Sequence, residues 1–185
     1  VEDYLREQLV SMGPAAAKNF HDILQTYEDL ADQYGLWDAV SVIKEYGCSD
    51  DGFIDFRAWL IAQGKEVYMN ALRDPDTLAD IEPYGDCCFE CLSYVGDYAY
   101  EQLTGRSAYD EMEPDRIEKL RDELKKDIVY KDGIQYPREP KDLPRFLPRL
   151  CEKYGGPERF LAAPSTWNYD LHEIRRLLDE GKVQD

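Results

Sequence analysis

The residues best placed for chemistry lie in one short run, Cys48 to Phe56, with the sequence CSDDGFIDF. It sets the carboxylates of Asp50, Asp51 and Asp55 beside a serine and a thiol. Asp51 to Phe56 copies the middle of a calcium-binding EF-hand loop, positions five to ten. Such a loop also needs an oxygen ligand at position one and a bidentate Glu at position twelve. Gly47 and Ala58 stand there instead, so the run reads as the acidic start of a helix, where carboxylates suit the helix dipole. A second reading makes it a binding cluster. Asp50, Asp51, Arg57 and Gln63 would supply polar groups, and Trp37 and Trp59 would form apolar walls.

The other reactive residues form weaker patterns. Cys88 and Cys91 have zinc-ligand spacing, but a structural zinc needs four ligands and no second pair occurs. On a helix both fall on an apolar stripe, where a free cysteine behaves as a small hydrophobe. The only histidines, His21 and His172, sit in amphipathic helical patterns away from any nucleophile elbow. Walker and Rossmann glycine loops are absent from the sequence. Carboxylate pairs are too numerous for one to stand out. No metal site and no cofactor is therefore expected. The 14 tyrosines are a surplus suited to interfaces, and most are expected at the rim of the core.

Charge narrows the partners. The 185 residues hold 39 Asp and Glu against 22 Lys and Arg, a net charge of −17. Phosphate backbones are repelled by such a surface, so nucleic acid is not expected as a partner. A basic protein is the partner the charge would suit, and solubility alone would also explain it. The five cysteines are odd in number and read as free thiols of a reducing cytoplasm. The opening VEDYLREQLVSMG lacks the pattern of a secretory signal. No apolar run is long enough to span a membrane. The expected location is the cytoplasm.

Helices must position these groups. Apolar residues recur at helical spacing over 2–11, 14–34, 36–46, 50–63, 65–73, 86–104, 115–126, 143–153 and 171–180. Gly and Pro punctuate them, with Gly35 and Gly47 as stops and Asp74-Pro75 as a break. Segment 115–126 offers only Ile117, Leu120 and Leu124 to the interior, so it is expected to lie on the surface. Residues 128–136 suggest a small β-hairpin around Lys131-Asp132-Gly133. The expected fold is all-α, a compact orthogonal assembly of short helices forming a single domain over 1–185.

The run LW-x-A from Leu36, then GCSDDGF, FRAWLIAQGKEV and ALRDPDTLAD, resembles the core signature of the DUF4240 family. That is a bacterial domain of unknown function, sometimes joined to WGR-type domains. LPRLCEKYG at 147–155 is similar to the family's closing element, with Cys151 where a Trp is expected. The resemblance covers about residues 22–155, leaving 156–185 as a helical extension. It implies a mostly helical intracellular domain and carries no activity with it.

Two functions follow as expectations. The leading one is a non-enzymatic interaction module, immunity- or inhibitor-like, acting on a basic partner. The alternative is a small-ligand-binding protein or enzyme using Asp50, Asp51, Arg57 and Gln63 with Trp37 and Trp59. The balance of signals falls on the non-enzymatic side.

Overall fold

Gly13 separates the first two helices with φ 93°, a value that favours glycine. Pro14 then opens the second helix at its first position, where a missing N–H costs nothing. Punctuation of this kind recurs along the computed structural model, which describes residues 1–44, 47–83, 85–131, 138–156 and 158. The described α-helices are α1 (Glu2–Met12), α2 (Pro14–Leu30), α3 (Tyr34–Ile43), α4 (Asp50–Ala62), α5 (Lys65–Arg73), α6 (Glu90–Thr104), α7 (Pro114–Lys125), α8 (Leu143–Phe146) and α9 (Pro148–Lys153). Two short 3-10 helices, Pro75–Asp80 and Pro140–Asp142, complete them. No strand occurs among the described residues, so the fold is all-α.

Apolar side chains gather in two places. The larger core takes Leu36 and Val40 from α3, Phe53, Phe56 and Leu60 from α4, and Leu72 from α5. It is completed by Leu143, Leu147, Leu150 and Cys151, from far along the chain. The smaller core joins Leu9 of α1 and Ala17 of α2 to Val95 and Ala99 of α6. Leu24, Ala58 and Leu92 link α2, α4 and α6 between the two.

The α2–α6 crossing is close. A Cβ at Gly96 would stand 2.9 Å from the backbone N and Cα of His21, so glycine is needed for the approach. Helix α7 lies on the surface as its narrow stripe implies, with no fully buried residue. Ile117, Leu120 and Leu124 are half-buried, and the Arg121 to Asp29 ion pair (2.6 Å) ties α7 to α2.

Four boundaries differ from the sequence reading. Helix α2 ends at Leu30, not near residue 34: Ala31 caps it, and the Gln33 N–H then closes a tight turn onto the Ala31 carbonyl at 2.8 Å. Tyr34 instead opens α3, and Gly35 lies buried inside it rather than stopping a helix. Helix α6 starts at Glu90, not at 86, so Cys88 is not helical; Cys87 before it has a left-handed φ of 58°. The helix expected over 143–153 is divided at Leu147, because Pro148 cannot donate to a carbonyl in the preceding turn. Of the suggested hairpin, 128–131 form no strand and 132–137 lie outside the described residues, as does the helix read over 171–180.

Candidate functional site

The acidic run forms the start of α4. Ser49 caps it, its Oγ accepting the Gly52 N–H at 3.1 Å, and Asp50 and Asp51 occupy the first turn. Both aspartates are exposed. Arg57 lies six or seven residues further, about 10 Å along the axis. It donates to the Glu28 carbonyl at 3.2 Å and pairs with Asp32 at 3.4 Å. Its guanidinium also sits 5.1 Å from the Phe53 ring centre. Arg57 thus binds the last turn of α2, where a cation suits the exposed carbonyls. The structure does not bring it to Asp50 or Asp51.

The two tryptophans belong to a ladder of rings rather than to facing walls. Trp37 stacks on Phe53 at 4.9 Å, Phe53 on Phe56 at 6.2 Å, and Phe56 on Trp59 at 5.6 Å. Trp59 is buried, whereas Trp37 is half-buried and donates its indole N–H to the Cys48 carbonyl at 2.8 Å. That bond fastens the 47–49 segment onto α3. Gln63 donates to the Trp59 carbonyl at 3.0 Å, at the end of α4. Of the candidate residues, Trp37, Arg57, Trp59 and Gln63 make contacts within the fold, and Asp50 and Asp51 are exposed.

The cysteines diverge. Cys88 donates its thiol to the Asp55 carboxylate at 3.2 Å, whereas Cys91 has Glu2 of α1 as its acidic neighbour. Burial pushes the Cys48 and Cys87 thiols up to about 11, so both are protonated at neutral pH and poor nucleophiles. Among the described residues, no group of three or more His, Cys, Asp and Glu is arranged to hold a metal ion.

What does converge is an outer face shared by α4 and α6. Ala58 packs with Leu92 of α6, which aims the same face of α4 (Asp51, Ile54, Asp55) over the start of α6. The Phe89 N–H donates to the Asp55 carbonyl at 3.2 Å and locks the two helices together there. On α6, Glu90, Tyr94 and Tyr98 form a row at four-residue steps, with the two rings stacked at 6.0 Å. Ile54 is 40 % exposed and Tyr98 is 42 % exposed. Burial, followed by Glu90, Tyr98 and Asp55, raises the Tyr94 hydroxyl above its ordinary range, so it stays a neutral donor. None of the ion pairs among the described residues engages Asp50, Asp51, Asp55 or Glu90. Sequence reasoning identified the tyrosine surplus and the aspartates separately. It missed that α6 lies beside α4, because the only local hint was a shared four-residue step.

A polar seam lies behind this face. The buried Glu28 accepts from the Ser93 hydroxyl at 2.5 Å and from Gln25 at 3.1 Å. Burial raises its carboxyl above the ordinary range. His21 is fully buried, with neither ring nitrogen hydrogen-bonded, and its ring meets Tyr109 edge-on at 4.3 Å. Burial lowers its pKa, so the ring stays neutral. Ser93 is itself buried, which leaves the Glu28–Ser93 pair no room for a substrate.

Among the described residues, no helix is long and apolar enough to cross a membrane. The family model for DUF4240, a protein of unknown function, matches residues 1–102, and so takes in α1 to α5 and most of α6. The motif resemblance drawn from the sequence spans a different range, about 22–155. The chain matches no curated protein and no solved structure.

Proposed function

The chain belongs to the DUF4240 family, a family of unknown function, and we propose that it is a non-enzymatic interaction module whose α4–α6 face takes a basic protein partner. The single observation behind this reading is the row of exposed Glu90, half-buried Tyr94 and exposed Tyr98 beside Asp51, Ile54 and Asp55, with the carboxylates outside every described ion pair. Unpaired carboxylates attract Lys and Arg over long range. Tyrosine rings add apolar contact and a face for a cation. Ile54 supplies an apolar centre. Such a surface suits an inhibitor or immunity role, in which an acidic face covers a basic one. The whole face lies within the family match.

Affinity capture from a bacterial lysate tests this, comparing the wild type with an Asp51→Lys, Glu90→Lys variant. The expected result is a stoichiometric basic protein that elutes as salt rises, because exposed charge attraction is screened. The variant should lose it. Retention by the variant, or elution that salt does not affect, would place the contact elsewhere and overturn the reading.

A further inference from the structure

At the other end of the α2–α6 pair lies a polar cavity of about 380 Å³. Its wall is built from the starts of α2 and α7, the last turn of α6, and the loop between α6 and α7. Three cations line it (Lys18, Arg106 and Arg116), an unusual gathering in a chain of net charge −17. Glu111 and Glu113 line it too, with the hydroxyls of Tyr100 and Thr104.

The charges pair unevenly. Arg106 and the Tyr100 hydroxyl both bind Glu111, which neutralises that part of the wall. Lys18 and Arg116 share one carboxylate, Asp22, at 2.5 and 3.4 Å. Asp22 is fully buried, and its Oδ2 accepts no hydrogen bond. Arg116 also donates to Asn19 at 2.9 Å. Two cations against one anion leave a single positive charge here, beside the opening turn of α2. That turn has no acidic residue and no side-chain cap, so no side chain of its own opposes its positive end. Glu113, three residues before Arg116 where α7 begins, is exposed and enters no described ion pair, so one negative charge is left over.

We propose that this cavity binds a small zwitterion of the amino-acid type, its carboxylate held between Lys18, Arg116 and the start of α2, its ammonium by Glu113. One unmatched charge of each sign lining the same cavity matches that ligand and disfavours a phosphate dianion, which Glu113 would repel. The volume lies at the small end of the range for ligand pockets, about 300–1,000 Å³. This site is separate from the α4–α6 face and stands or falls without it.

Amide chemical shifts of the intact protein test the proposal. The probes are glycine, L-alanine, L-glutamate and L-lysine, with acetate and methylammonium chloride as half-ligands at equal ionic strength. A saturable shift at Ala15, Lys18, Thr104 and Arg116 is expected with at least one amino acid. Glu113→Gln should weaken it about tenfold, as expected for losing one charged hydrogen bond. Glu113 is exposed, so this variant keeps its fold, and an unchanged shift pattern elsewhere verifies that. Arg116→Gln should weaken acetate and amino acid alike. No saturation by any amino acid would overturn the proposal. So would equal affinity in Glu113→Gln, or acetate binding as tightly as the amino acids.

Discussion

His21 carries the clearest consequence for pH. Its ring is fully buried with both nitrogens unpartnered, and burial lowers its pKa below the ordinary 6.5. The folded state therefore holds it neutral where the unfolded chain would protonate it. The stability it contributes is fully present above pH 6.5 and is lost progressively as pH falls below that value toward and through the lower folded pKa. Glu28 acts in the opposite sense, since its raised pKa favours the folded state as pH falls. Comparing wild type with His21→Leu in urea melts between about pH 7.5 and 5.5 isolates the histidine, because Glu28 is common to both. The wild type should lose stability relative to the variant toward acid, and parallel curves would refute the assignment. Arg57 allows a second test. Arg57→Met should cost about 1–2 kcal/mol, through its lost contacts with the Glu28 carbonyl and Asp32, and leave capture of a basic partner intact. Loss of capture at unchanged stability would return Arg57 to the binding surface.

At the scale of elements, the α2–α6 crossing depends on Gly96. Gly96→Ala would force its methyl against the His21 backbone at 2.9 Å, at a cost of about 1–3 kcal/mol in a urea melt. A second device is the buried Asp76, which accepts the Arg149 and Leu150 N–H groups at 3.1 and 2.9 Å and so caps α9 from the 3-10 helix. Asp76→Ala should cost about 2 kcal/mol. Neither feature was legible in the sequence, because each partner lies more than 70 residues away. Local signals fared better. Periodicity marked α1, α4, α5 and α7 to within a residue or so, since each turns one apolar stripe inward and ends at Gly, Pro or a cap. It failed at Tyr34, where the apolar spacing continued across the turn at Ala31–Gln33 into a new helix. The candidate site was legible as a motif but not as geometry. Asp50 and Arg57 look adjacent in the chain, yet nearly two turns of helix part them, and Arg57 is engaged with α2.

Across the whole molecule, the larger core joins residues that the family match contains to residues beyond it. Leu36, Val40 and Leu72 pack in the same cluster as Leu143, Leu147, Leu150 and Cys151. A fragment ending at residue 102 would leave that apolar surface uncovered, with only α1, α2 and α6 retaining their own cluster. It should show no single cooperative transition and should bind a hydrophobic dye, whereas the full chain should unfold in one step. A sharp melt from the fragment would show that α8 and α9 are dispensable. The same arrangement bears on how the protein is made. On the ribosome, α3 to α5 emerge long before the residues that cover them, and synthesis at about 5–20 residues per second leaves that face open for seconds. A nascent chain of this kind is a natural client for holding chaperones until Cys151 has emerged.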